Sequence, residues 1–212
     1  MSASFITIES EAIGEGQERV CYVHPDNPAR LIKLQKGAVR KQTRRELNLY
    51  ARLARRGLRE YTHIPEFHGS VRTNLGDGFV VDYIRDYDGS ASKSLWWHFQ
   101  RGFPVSEFTS YLEELRHYLL RHAIVFSVDM GRYNILFQKL SADSARLVVI
   151  DGLGDHTAIN WLDNFDYFAR RKIKRRWRRF IQRLHNYSAQ TMAEHAAEPL
   201  RLDAAYRKPE AR

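Results

Sequence analysis

Five polar side chains occupy positions where a folded chain needs a reason to keep them. Lys33 interrupts the apolar run Leu31-Ile32-Leu34, and Glu46 follows thirteen residues later. Asp129 and Asn134 stand with four residues between them, directly before the apolar Ile135-Leu136-Phe137. Asp151 closes the run Leu147-Val148-Val149-Ile150 and opens onto Gly152 and Gly154. An ammonium inside an apolar strand must reach water or find an anion, and Glu46 on the next element is a natural partner. Phosphoryl transfer from ATP asks for such a set: a cation on the phosphates, carboxylate and amide ligands for Mg²⁺, and a group that orients the acceptor hydroxyl. Lys33 held by Glu46 suits the first role, Asn134 with Asp151 the second, and Asp129 the third. Upstream, Gly14 and Gly16 flank Glu15, where a backbone without Cβ atoms can cradle phosphate. Alone, each piece has a plain structural reading: a hairpin turn for Gly14-Glu15-Gly16, a surface charge for Glu46, a polar loop for Asp129 and Asn134, a turn for Asp151. Their order along one chain carries the chemical reading.

The elements that must position these groups follow from periodicity. Residues 5–13, 20–23 and 30–34 read as three strands of an antiparallel meander, with Gly14-Glu15-Gly16 as a tight turn. Residues 39–58 read as a helix, with Thr43, Leu47, Tyr50 and Ala54 recurring on one face and Gly57 as its stop. Two more strands, 66–72 and 78–84, are joined by a glycine-rich turn. The second half reads as mainly helical. Pro104 suits the first turn of a helix that carries Phe108, Tyr111, Leu112, Leu115, Tyr118 and Leu119 towards His122. Two short apolar runs, 135–137 and 147–150, precede a long helix over 159–184 with Ile173, Trp177, Phe180, Ile181 and Leu184 on one side. The expected fold class is α+β: a five-stranded antiparallel lobe with one helix (about 1–84) and a truncated, mainly helical lobe (about 85–192). A weakly ordered tail is expected over 193–212.

The totals bound the function. A chain of 212 residues with 43% hydrophobic content fits one domain in two lobes. Its single cysteine, Cys21, excludes an internal disulfide and a thiolate metal cluster. Neither a signal peptide nor a run of ~18 apolar residues is found, so the expected location is cytoplasmic. His117 and His122 lie five apart, which does not align them on a helix, and no zinc is implied. Trp96-Trp97 is expected to pack under the strand end near residue 84 or against a helix. Nine of the fourteen residues between Arg170 and Arg183 are Lys or Arg, matching the whole net charge of +9. Such a face is either a solvated side of a packed helix or an attachment to an anionic membrane surface or another polyanion. No module that reads bases is present.

The chain resembles the YrbL family, the PhoP regulatory network proteins, which share the protein-kinase-like fold. The likeness runs from about Gly14 to Phe180. It is carried by Gly14-x-Gly16 with Cys21-Tyr22, Leu31-Ile32-Lys33, Arg44-Arg45-Glu46-Leu47, Ile64-Pro65 with His68-Gly69, Gly78-Phe79-Val80 with Asp82, Asp88-Gly89, Asn134-Ile135-Leu136 and Asp151-x-x-Gly154. The resemblance implies a small bilobal kinase-like domain. Matched to general kinase motifs, Lys33 is the phosphate-binding lysine, Glu46 its helix partner, Asp129 the catalytic aspartate, and Asn134 with Asp151 the Mg²⁺ ligands. Residues 81–84 become the hinge, where backbone groups of Asp82 and Ile84 meet adenine. The chain departs from the kinase pattern in Ser127-Val128 before Asp129, Gly131 in place of a lysine, Arg19 at the third glycine position, and the lack of an Ala-Pro-Glu segment. These departures favour a small-molecule or glycan hydroxyl as acceptor over a peptide, and leave a non-catalytic regulator as the alternative.

Overall fold

The computed structural model describes residues 5–16, 18–37, 41–127, 133–154 and 166–197. Alternation along two central strands, β4 (Asn27–Gln35) and β6 (Gly76–Asp82), sorts the first half into two cores. Ile32, Leu34 and Val80 point to one face and cluster with Ile6, Ile8 and Val71. Phe79 and Val81 point to the other, where they join the main core. Register pairs Lys33 with Phe79, so period-2 geometry turns Lys33 to the main-core face, 6% exposed.

The sheet has six strands rather than five. Its order is β1 (Phe5–Ile6), β5 (Phe67–Thr73), β6, β4, β3 (Arg19–His24), β2 (Gly14–Glu15). Of the strand expected over 5–13 only Phe5–Ile6 forms, and Gly14–Glu15, expected as part of a turn, forms a second short strand at the opposite edge. Phe5 and Ile6 pair in parallel with Arg72 and Thr73, while Gly14 and Glu15 pair antiparallel with Cys21 and Val20. The sheet is therefore mixed. Ile6 and Ile8 gain burial by crossing to the far edge, where Ile8 N–H donates to Asn74 Oδ1 at 2.8 Å.

Helix α1 (Lys41–Arg55) follows β4 as expected and stops at Gly57, whose φ of 70° suits a glycine. Its buried residues are Glu46, Leu49, Tyr50 and Leu53, an i, i+3, i+4, i+7 set, not the expected Thr43–Leu47–Tyr50–Ala54 stripe. The helix is rolled so that a carboxylate lies at the centre of its packed face.

The second half carries a three-stranded sheet ordered β7 (Lys93–Ser94), β8 (Ile135–Lys139), β9 (Ala145–Val149). A short helix not foreseen, α2 (Leu95–Phe99), is capped by Ser94, whose hydroxyl accepts from Trp97 N–H. Pro104 precedes a 3-10 turn (Val105–Phe108), then α3 (Thr109–Arg121) buries Leu112, Leu115, Tyr118 and Leu119. Helix α4 (Asp166–Ala197) buries Ala169, Ile173, Trp177, Phe180 and Leu184 and runs well past 184. Residues 159–165 of the expected helix, and 198–212 of the expected tail, lie outside the described residues. Trp96 meets α4 edge-on at Tyr187, with ring centroids 5.1 Å apart, which meets the expectation that it packs against a helix. One apolar cluster unites α1, β6, α3, β8, β9 and α4, so the two halves share a core. This is an α+β chain: a sheet with one helix, then a mainly helical half in which the β8–β9 hairpin stands between α3 and α4.

Candidate functional site

The site lies where β3, β4 and α1 meet the end of the β8–β9 hairpin. Lys33 Nζ donates to Glu46 Oε1 at 3.0 Å and to the carbonyl of Ile150 at 2.8 Å. The second bond brings Lys33 to the residue preceding Asp151. Asn134 arrives at the same end, because Ile150 N–H donates to the Asn134 carbonyl at 2.9 Å. Three of the five expected side chains, Lys33, Glu46 and Asp151, are thus brought together, with Asn134 directly before the neighbouring strand β8.

Two glycines shape the segment after Asp151. Gly152 and Gly154 have φ of 77° and 89°, conformations that suit a residue without a Cβ. A Cβ on Gly154 would stand 3.1 Å from the carbonyl of Arg45, next to Glu46 on α1. The segment also pairs with the chain leading to residue 127: Ser127 N–H donates to Gly152 O at 2.7 Å, and Gly154 N–H to Val125 O at 2.8 Å. Asp129 itself, with Val128, Gly131 and Arg132, lies outside the described residues. Its flanks are nonetheless anchored beside Asp151, at Ser127 on one side and Asn134 on the other.

A further group completes the site. Arg19, the first residue of β3, is 5% exposed and donates one guanidinium nitrogen to Glu46 Oε2 and the other to Asp151 Oδ1. The same Asp151 oxygen accepts from Gly152 N–H at 2.6 Å. Phe79 lies beneath both cations, 5.9 Å from the Arg19 guanidinium carbon and 5.7 Å from Lys33 Nζ. Two cations and two carboxylates therefore balance within one part-buried cluster. Burial opposes ionisation of Asp151, but the charges of Arg19 and Lys33 and the Gly152 amide outweigh it and hold the carboxyl below its ordinary value. Burial likewise disfavours the Arg19 charge, yet Glu46 and Asp151 reverse that and raise its pKa. Both groups are charged at neutral pH. From the sequence Arg19 is only a residue in place of a glycine. Register explains its placement: Arg19 pairs with Gln35 and Cys21 with Lys33, so Arg19 and Lys33 share a sheet face.

The remaining expected residues are less committed. Gly14 belongs to β2, and Gly16 N–H donates to Arg19 O at 2.7 Å, which closes the β2–β3 turn. A Cβ on Gly14 would meet nothing within 4 Å. Asp82 ends β6, and its carboxylate bonds to His68 Nε2 at 2.7 Å and accepts from Glu66 N–H at 3.0 Å. Its own N–H donates to Glu66 O at 3.2 Å, and Ile84 is buried with its carbonyl accepting from Ser92 N–H at 3.4 Å.

Oxygen ligands such as those of Asp151 and Asn134 suit a hard divalent cation. In this structure the Arg19 guanidinium stands as the cation on Asp151 Oδ1.

A family model described as PhoP regulatory network protein YrbL matches residues 6–185. The chain belongs to the YrbL family. Within that family it is 34% identical over 179 residues to the uncharacterized protein YrbL of Escherichia coli (strain K12), covering 82% of this chain and 84% of that one. The YrbL of Shigella flexneri matches to the same extent. Among solved structures, the PknI kinase domain of Mycobacterium tuberculosis is similar with a TM-score of 0.46 and 18% identity over 66% of this chain, which spans 57% of that domain. Among the described residues, no helix is long and apolar enough to cross a membrane.

Proposed function

We propose that this YrbL-family chain binds ATP between its sheet half and its helical half and transfers the γ-phosphoryl group to a hydroxyl. The observation that carries the reading is the reach of Lys33, whose ammonium touches both Glu46 on α1 and the Ile150 carbonyl next to Asp151. A phosphate-binding cation and a metal-binding carboxylate thereby share one site, an arrangement phosphoryl transfer requires. In this reading Lys33 clamps the phosphates and Glu46 fixes Lys33. Asp82 and Ile84 offer backbone groups to adenine, with Gly14 and Gly16 over the phosphates. Asp129 orients the acceptor hydroxyl and receives its proton. Asn134 and Asp151 would hold Mg²⁺, which when bound neutralises charge on the phosphates. The acceptor class follows from how little chain separates the site from α4: Asp151 and Asp166 are fifteen positions apart. That leaves small room for a segment that grips a peptide, and favours a small-molecule or glycan hydroxyl. The test is ATP turnover and nucleotide binding by Lys33→Ala and Asp151→Ala, with folding checked by circular dichroism. Folded variants that lose both properties support the assignment; turnover at the wild-type level in both defeats it.

A second reading is a regulator without catalysis, and one observation favours it: Asp151 is already bonded to Arg19. Detection of ADP and a phosphorylated product from wild-type protein and cell extract separates the two.

We also propose that the outward face of α4 docks on an anionic lipid surface. Arg171, Lys174, Arg175, Arg178 and Arg179 are exposed at helical spacing, and residues 167–193 contain no Asp or Glu. Tyr167 and Phe168 are exposed at 69% and 44% one turn earlier, as aromatic anchors at a headgroup layer are. Arg176 is not part of this face, since it is buried and donates to Phe126 O at 2.5 Å. Sedimentation with vesicles containing anionic lipid should be lost when these five residues become Gln. Binding to RNA or DNA with no vesicle binding would overturn the lipid assignment.

A further inference from the structure

Arg19 has an unusual position for a residue beside the proposed phosphate cradle of Gly14 and Gly16. It begins β3, directly after the β2–β3 turn that Gly16 closes, and β2 is a two-residue edge strand. From that hairpin its side chain reaches inward between α1 and the end of the β8–β9 hairpin, and ends on Glu46 and Asp151. Its stem and head are covered, with Phe79 under the guanidinium. The Asp151 carboxylate is the ligand a divalent ion needs, and one of its oxygens is taken by Arg19 together with Gly152 N–H.

We propose that Arg19 controls the entry of metal-bound nucleotide: its guanidinium occupies the cation position on Asp151, and a divalent ion that coordinates Asp151 must first displace it. The proposal deepens, and rests on, the nucleotide-binding reading of this site. The physical reason is charge balance. With Arg19 and Lys33 facing Glu46 and Asp151, the cluster has no net charge to attract a further cation. An ion placed on Asp151 with Arg19 still in contact would meet a full positive charge one hydrogen bond away from its ligand, in a part-buried site. Withdrawal of the side chain breaks both ion pairs and leaves Asp151 as an open oxygen ligand. The movable part is the side chain of Arg19 at the start of β3, beside the edge strand β2, whose backbone pairs with β3. The arginine is therefore a specificity-determining residue that sets how much metal and nucleotide the site demands before it opens.

The experiment measures Mn²⁺ binding to the full chain by electron paramagnetic resonance, without nucleotide. It compares wild type, Arg19→Gln, and Arg19→Met, which keeps the stem over Phe79 if the first variant folds poorly. Each is also made with Asp151→Asn. Both Arg19 variants should bind Mn²⁺ about tenfold more tightly than wild type, the scale of one removed like-charge contact, and the gain should vanish with Asp151→Asn. Equal affinity in wild type and the Arg19 variants, or a gain that survives Asp151→Asn, overturns the proposal. Calorimetric titration with a non-hydrolysable ATP analogue and Mg²⁺ runs in parallel. Analogue binding with no Arg19 effect on Mn²⁺ defeats the proposal and leaves the nucleotide reading standing. A Mn²⁺ effect with no analogue binding defeats the nucleotide reading and leaves the competition at Asp151 standing. Weaker analogue binding in the Arg19 variants overturns the proposal, since Arg19 is then a phosphate ligand.

Discussion

Glu46 is the residue on which the charge cluster turns, and its replacement by Gln gives a sharp test. The wild-type cluster holds Lys33 and Arg19 against Glu46 and Asp151, two charges of each sign. Glu46→Gln keeps the shape of the side chain but leaves two cations with one carboxylate. Glu46 is 1% exposed, and Lys33 and Arg19 are 6% and 5% exposed, so water cannot take over the lost contact. Removing one partner of a buried pair costs about 3–5 kcal/mol, because the orphaned charge stays buried. The cost should not double, since Arg19 keeps Asp151 and Lys33 keeps the Ile150 carbonyl. At about 2–4 °C per kcal/mol for a chain of this size, the melting temperature should fall by roughly 6–20 °C. Urea denaturation and calorimetry measure the loss. The double variant Arg19→Gln/Glu46→Gln returns the cluster to one charge of each sign and should be more stable than Glu46→Gln alone by about 1 kcal/mol or more. A loss under about 1 kcal/mol for Glu46→Gln, or simple additivity in the double variant, refutes a coupled buried cluster.

Gly78→Ala should cost about 1–3 kcal/mol, measured by urea denaturation, because a Cβ there would lie 2.6 Å from the Lys33 carbonyl and 2.7 Å from Leu34 Cδ2. Gly14→Ala, with nothing within 4 Å of its new Cβ, should be close to neutral. His98 packs edge-on to Phe103 and Phe137, with ring centroids 5.6 and 5.3 Å apart, and burial together with the Lys139 charge lowers its pKa from 6.5 to about 4. The unfolded chain takes up this proton near pH 6.5 and the folded chain only near pH 4, so the His98 contribution is complete above 6.5 and lost as pH falls towards 4. The melting temperature should drop across that window, and less so in His98→Phe; equal slopes in the two proteins count against the buried neutral imidazole.

How much of this was legible before folding depends on whether the signal was local. Lys33 inside an apolar strand, the Gly57 stop, the two runs that form β8 and β9, and the buried side of α4 all show in short-range pattern. Periodicity at 2 or 3.6 residues is set by the backbone and survives any tertiary context. The roll of α1 did not show, because the centre of its buried face is Glu46 and hydrophobic periodicity counts a carboxylate as outward. The crossing of residues 5–6 to the far edge did not show either, since a two-residue strand is chosen by whichever edge is free and by the core that Ile6 and Ile8 enter.

The sequence by itself determined which side chains are available for the proposed phosphate and metal chemistry and the order in which the elements present them. Tertiary structure alone decided that Arg19 joins them, 27 positions from Glu46 and 132 from Asp151. An ion pair between such distant residues leaves no periodic trace. It forms because packing α1 and the β8–β9 hairpin against the sheet buries two carboxylates at one point, and a buried charge must be met by an opposite one.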